Sequence, residues 1–264
     1  MTRPTKRSPE IVGEQLSELA GLFQLRTVAA ELVHRLTQAG QEAALPLLLE
    51  IFEQEQEDRS QRRVERLLRA SKLPPGKTFS TFKEQRLPRP LAAKLRELAR
   101  GAFLEQAVNV LAFGLPGTGK THSACALGHA LVEAGHSVLF IPVYKLVQNL
   151  LAAKRDLELP KALRKLDSFE LLILDDIWYV KQDAEQIEVL FTLMAERYER
   201  RSMMITTNLV FSKWDRIFKD PMTTAAAIDR LVHHSAVLEF DVSSFRSEEQ
   251  AELGADAEKR DSEE

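Results

Sequence analysis

Gly114-Leu-Pro-Gly-Thr-Gly-Lys120-Thr121 constrains this chain more than any other stretch. Two glycines five apart, followed at once by Lys and Thr, match the phosphate-loop pattern. A short apolar run, Val108 to Phe113, leads into it, and a helical pattern from about Lys120 to Ala134 leads out. The chemistry explains the spacing. Gly117 and Gly119 let the backbone curl without Cβ clashes, so successive N–H groups turn toward phosphate oxygens. Lys120 reaches the β- and γ-phosphates as a point charge, and Thr121 offers a hydroxyl to Mg²⁺. The helix that starts there adds its positive dipole end. Gly114, Pro116, Gly117, Thr118, Gly119, Lys120 and Thr121 are therefore expected to bind ATP, with Thr121 also at the metal.

Beyond the loop, strands and helices alternate. Val138 to Ile141, Leu171 to Leu174, Met203 to Thr206 and Ala236 to Phe240 read as four further strands. Helical stretches fall between them at about 144–155, 160–166 and 184–199, with a broken helical region at about 212–234. This predicts an α/β fold with a mostly parallel five-stranded sheet covered on both faces. Leu171-Leu-Ile-Leu-Asp175-Asp176 runs an apolar strand into two carboxylates, a costly ending unless cations or a ligand sit there. Asp175 is expected to hold Mg²⁺, directly or through water, and Asp176 to orient or deprotonate the attacking water. Met203-Met-Ile-Thr206-Thr207-Asn208 also ends in polar groups. Asn208 could bond the γ-phosphate or the attacking water; read alone, it is a helix N-cap.

The N-terminal part is different. Met1 to Glu10 holds Pro4, Pro9 and three basic residues, with no apolar stretch behind them, and reads as a mobile arm rather than a secretory signal. From about Ile11 to Ala70 the pattern is helical. Leu16, Leu19, Ala20 and Phe23, then Val28, Leu32 and Leu36, recur at steps of three and four. Gly40 reads as a helix stop, and Pro46 suits a first turn. Such a small all-α segment buries little alone and is expected to pack on a partner or wrap something.

The net charge of -3 argues against a uniformly basic nucleic-acid binder, but the average hides a patch. Five acids lie between Glu50 and Asp58, whereas Arg59 to Arg100 holds thirteen bases against three acids. Arg59, Arg62, Arg63, Arg66 and Arg69 share much of one helical face. The bland reading is a solvated face. The sharper reading is contact with phosphate backbone, since guanidinium forks suit phosphate oxygens and bind them without reading sequence. Prolines at 74, 75, 88 and 90 mark loops. Ser247 to Glu264 has eight acids and two bases and reads as a disordered tail. The expected organisation is a helical DNA- or partner-binding domain over 1–72, a linker over 73–90, an ATPase domain over 91–246 and an acidic tail over 247–264.

One cysteine, Cys125, excludes an intramolecular disulfide and fits a reducing compartment, so a cytoplasmic protein is expected. No run approaches 18 apolar residues, so no membrane span is expected. His122 and His129 lie seven apart on the helix after the loop and read as packing or surface residues. The adjacent His233 and His234 cannot readily chelate together.

The three strand ends, in this order and spacing, resemble the AAA+ ATPases. Leu-Leu-Ile-Leu-Asp-Asp (171–176), Ala-Glu-Arg-Tyr-Glu-Arg (195–200), Thr-Thr-Asn-Leu-Val-Phe-Ser-Lys-Trp (206–214) and Ala-Ile-Asp-Arg-Leu-Val-His-His (227–234) are similar to the IstB group of transposition helper ATPases. So is the Arg-rich helix ahead of Phe79-Ser-Thr-Phe82. The bacterial helicase loaders are near relatives of that group. The resemblance covers about 16–246. It implies an AAA+ domain in which Asn208 stands at the sensor 1 position, Arg230 at the arginine finger acting on ATP held by a neighbouring subunit, and Arg246 at the sensor 2 arginine. A finger supplied in trans implies a homo-oligomer, ring or filament. Two departures stand out: Asp176 replaces the usual Glu, which suits slow turnover, and Trp178 is bulky where the group usually has Gly.

The function implied is an ATP-dependent, duplex-DNA-binding helper of a transposase. The alternative is a replicative helicase loader, which would prefer single strands; little aromatic interleaving for base stacking weighs against it. A third reading is a scaffold that uses ATP without hydrolysing it.

Overall fold

Pro9 opens the first helix of the computed structural model, which describes residues 8–177, 184–208 and 235–245. Helix α1 (Pro9–Leu22) is followed by α2 (Arg26–Gln38), which stops ahead of Gly40, and by the long α3 (Leu45–Ser71). Pro46 sits in the first turn of α3, where a missing N–H goes unneeded. The chain divides into two units, residues 1–65 and 66–264, and the division falls inside α3.

In the first unit Val12, Leu16, Leu19, Leu45 and Leu49 are buried together, with Val33, Leu36, Leu48 and Phe52 packed against them. Phe23 lies 5.7 Å from Phe52, and the Arg59 guanidinium covers the Phe23 ring at 4.2 Å. Arg59 also pairs with Glu55 at 2.6 Å, and Arg62 approaches Asp58 at 3.7 Å. The acidic run and the arginine run thus belong to one helix, and i,i+4 pairs join them where they meet. Such exposed pairs contribute only about 0.3–0.5 kcal/mol each, so they set the charge pattern more than the stability.

After the end of α3, the second unit continues with α4 (Arg89–Leu98) and a single turn, α5 (Ala102–Glu105). Then come β1 (Asn109–Gly114), α6 (Lys120–Glu133), β2 (Val138–Pro142), α7 (Val143–Arg155), α8 (Leu159–Asp167), β3 (Leu171–Asp175), α9 (Ala184–Arg197), β4 (Ser202–Thr207) and β5 (Ser235–Phe240). The order in the sheet is β2-β3-β4-β1-β5, and every neighbouring pair is parallel, as the alternation predicts. The expected helical region at 212–234 lies outside the described residues.

β1 to β4 are buried along almost their whole length because both faces are covered, whereas the edge strand β5 is only partly buried. Leu172 and Leu174 join Leu111, Leu139, Ile141, Met203 and Ile205 in a core with α7 and α9. Ile173 points the other way, toward α6, where a Cβ on Gly128 would lie 2.9 Å from its Cδ1. Burying each such Leu or Ile contributes about 1.5–3 kcal/mol. Residues 73–90, read from their prolines as a linker, carry the buried side chains Leu73, Phe82 and Leu87 within this unit, and the last two of them open α4.

One buried cation holds the far end of the sheet. Arg197 donates to the carbonyls of Leu166 (2.9 Å), Phe169 (3.0 Å) and Ser202 (2.9 Å), tying the end of α8 to the starts of β3 and β4. Burial pulls its pKa down to about 10, which Asp167 partly opposes, so it remains charged at neutral pH. The opposite end, where β1, β3 and β4 terminate side by side, is the usual place for a ligand in a parallel sheet.

Candidate nucleotide-binding site

The loop leaves β1 at Gly114, whose φ is 154°. A Cβ there would lie 2.4 Å from the Phe240 carbonyl oxygen on β5, so only glycine lets the two strands stay paired. The loop ends at Gly119, the N-cap of α6, with φ 91°. Both values lie where other residues are strained. Between them, the Thr118 hydroxyl donates to the Leu115 carbonyl at 2.8 Å. Lys120 is 6% exposed, and its Nζ donates to the carbonyls of Gly114 (2.8 Å) and Leu115 (2.7 Å). The N-terminal N–H groups of α6 and this ammonium bring positive charge to the same spot.

The acidic pair meets the loop through hydroxyls. Asp175 Oδ1 accepts from Thr121 Oγ1 at 2.9 Å and from Thr206 Oγ1 at 2.6 Å. The Asp176 N–H donates to that same Thr206 oxygen at 2.9 Å. Asp176 adopts φ 61°, uncommon outside glycine though tolerated best by Asn and Asp. Asn208 Nδ2 stands 3.4 Å from Asp176 Oδ1. Burial raises the pKa of Asp176; the Asp175 charge adds to this and Lys120 opposes it. A carboxylate so placed is a stronger base than an exposed one.

Several of these groups line a cavity of about 330 Å³. Pro116, Gly117, Gly119, Lys120 and Thr121 form one side of it, and Asp176, Thr206, Thr207 and Asn208 another. The rest comes from Lys77, Thr81, Phe82, Lys83, His122 and Phe245. The Phe82 ring lies 5.0 Å from His122 and 6.3 Å from Phe245. The Phe245 N–H donates to the Gly117 carbonyl at 2.9 Å, and the Arg86 guanidinium lies 3.9 Å over the Phe245 ring. His122 Nε2 is 3.2 Å from Thr81 Oγ1 and 3.3 Å from the Thr78 carbonyl oxygen. Burial lowers its pKa; the Thr78 carbonyl opposes this and Lys77 adds to it.

The structure therefore brings Lys120, Thr121, Asp175, Asp176 and Asn208 together. Gly114, Thr118 and Asp175 shape the site from behind and are not among the cavity-lining residues. Arg230 and Arg246 lie outside the described residues. Sequence reasoning missed Thr206, although it shares a strand face with Asn208 two positions on. It also missed Lys77, Thr81, Phe82 and Phe245 as cavity walls, because nothing local places those segments at the loop.

The donor set fits Mg²⁺. A Thr hydroxyl and an Asp carboxylate oxygen stand 2.9 Å apart beside the loop, and Mg²⁺ is usually held by one or two protein oxygens plus phosphates and water. Among the described residues no three His, Cys, Asp or Glu gather as a cage for a different kind of ion.

The family described as IstB-like ATP binding protein matches residues 15–253. An insertion sequence ATP-binding protein of Sinorhizobium fredii is 44% identical over 236 residues, covering 89% of this chain and 78% of its own. The insertion sequence IS21 ATP-binding protein of Pseudomonas aeruginosa is 39% identical over 203 residues, 77% of each chain. Among solved structures, AMPPCP-bound DnaA from Aquifex aeolicus matches with a TM-score of 0.52 at 16% identity. That match covers 64% of this chain and 51% of DnaA, so this chain spans about half of that protein, and the likeness is one of fold.

Proposed function

This chain belongs to the IstB-like ATP-binding family and is an ATPase of AAA+ fold, and from that premise we propose that it serves as an ATP-dependent, duplex-DNA-binding helper of a transposase. One observation carries the nucleotide half: a continuous hydrogen-bonded chain from Thr121 through Asp175 and Thr206 to Asp176, beside Lys120. The relatives' association with insertion sequences supports the transposition half.

The residues divide the work by chemistry. Loop N–H groups and Lys120 bind the triphosphate and neutralise its charge. Thr121 and Asp175 would hold Mg²⁺, which supplies charge stabilisation at the phosphates when bound. Asp176 takes a proton from the attacking water, and Asn208 orients that water or the terminal phosphate. Arg230 reaches ATP held by a neighbouring subunit, and Arg246 acts at the sensor 2 position of its own. ATP thereby completes contacts between copies in a homo-oligomer. The oligomer lays the exposed face of Arg62, Arg63, Arg66 and Arg69 along duplex phosphates. Arg59, which also contacts Glu55 and Phe23, lies at the start of that run. Hydrolysis then releases the DNA.

The test is duplex binding across a salt series, with and without a non-hydrolysable ATP analogue, for the wild type and for Arg62, Arg63 and Arg66 changed to Gln. Neutralisation is expected to weaken binding and flatten its salt dependence by about one unit of slope per lost contact. Unchanged affinity and slope would place the DNA surface elsewhere. Preference for single strands, with capture of a hexameric helicase instead of a transposase, would favour the loader reading. Among the described residues no helix is long and apolar enough to cross a membrane.

A further inference from the structure

We propose that Thr206 is a positioning residue for ATP hydrolysis, its one hydroxyl fixing the metal-holding acid and the water-orienting acid relative to each other. This rests on the roles given above to Asp175 and Asp176.

β3 and β4 are parallel neighbours in register through Leu174 and Ile205, so the next residues, Asp175 and Thr206, stand side by side at the end of that pairing. A hydroxyl has one hydrogen to give and lone pairs that accept. Thr206 gives its hydrogen to Asp175 Oδ1 at 2.6 Å and accepts the Asp176 N–H at 2.9 Å. The first is a charge-assisted bond and so among the stronger kind. Thr121 donates to the same Oδ1, so two hydroxyls from different elements fix the plane of that carboxylate.

The second bond acts on Asp176 through the backbone. Its φ of 61° costs energy for any side chain with a Cβ and persists only where the surroundings enforce it. The Asp176 N–H donated to Thr206 is one such restraint, and it sets where the carboxylate emerges. Threonine suits the task because its β-branched side chain is stiff about χ1. Thr206 is 2% exposed, so its side chain is held in place by packing. Valine would fill the same volume and lose both bonds, whereas serine would keep the hydroxyl on a freer torsion.

The experiment compares Thr206→Val and Thr206→Ser with the wild type, using a fluorescent ATP analogue. Binding is titrated without Mg²⁺ and then against Mg²⁺ concentration, and turnover is measured alongside. Thr206→Val is expected to bind the analogue like the wild type in the absence of Mg²⁺. It should need roughly 10- to 100-fold more Mg²⁺ for the metal-dependent part and lose turnover to a similar degree. Thr206→Ser should recover most of both. Wild-type Mg²⁺ dependence and turnover in Thr206→Val would overturn the proposal. So would equal losses in the serine variant, or a loss of metal-free binding that tracks a lowered melting temperature, because either would mark the position as strand packing. Should the wild type itself fail to bind the analogue, the nucleotide reading falls and takes this proposal with it.

Discussion

The hydroxyl of Thr121, in the first turn of α6, donates a 2.9 Å hydrogen bond to Asp175 Oδ1 at the end of β3. That bond joins the phosphate loop to a separate strand of the sheet. It sets side by side the loop hydroxyl and the strand-end acid that would hold Mg²⁺. Changing Asp175 to Asn keeps the shape and removes the charge. Nucleotide binding without Mg²⁺ should survive, while Mg²⁺-dependent tightening and turnover should fall by more than about 100-fold, beyond the usual loss at outer-shell partners. Full turnover in Asp175→Asn would remove that acid from the metal site.

The roles proposed for Asp176 and Arg230 make a prediction about mixing. Asp176→Asn should retain ATP–Mg²⁺ binding and lose roughly 10²- to 10⁴-fold in turnover, the range for a general base. Arg230→Ala should also bind ATP and lose turnover, by up to about 10³- to 10⁵-fold. Each variant carries what the other lacks, so mixing them should restore part of the activity at shared interfaces. No recovery on mixing, with both variants shown to co-assemble, would reject a finger acting in trans.

Gly114→Ala should destabilise the fold itself. The added Cβ would meet the Phe240 carbonyl oxygen, a backbone atom of the paired strand that cannot swing away. The cost is on the order of 2 kcal/mol or more, read as a lower denaturant midpoint at unchanged slope. An unaltered midpoint would mean that β1 and β5 do not pair this closely.

Arg197→Met should cost on the order of 3 kcal/mol, because it leaves several buried carbonyls without their donor, while Asp167 keeps its ion pair with Arg200. The effect should appear in unfolding, while ATP affinity of the still-folded fraction stays normal. A change in affinity without a change in stability would contradict the purely architectural role.

The sheet was legible because its strands are buried on both faces: Leu171 to Leu174 admits no polar residue until the two acids that mark its end. The loop was legible because phosphate geometry demands glycine and lysine at fixed offsets. What could not be read was whatever depends on segments meeting from afar. Phe82 and Phe245 meet over Gly119 although one lies in the expected linker and the other beyond the last expected strand. Arg59 to Arg69 reads as one basic face, but only the structure reveals that Arg59 is drawn toward Phe23 and Glu55. Arg197 looks like an ordinary charged residue near the end of a helix, and nothing local signals the carbonyls that gather around it.

The most direct measurement is a calorimetric titration of ATP with Mg²⁺ into the folded wild type and into folded Lys120→Ala. The account predicts saturable heat from the wild type and none from the variant, whose loop has lost the ammonium beside the phosphates. Absence of heat in the wild type, or equal affinity in the two proteins, would contradict it.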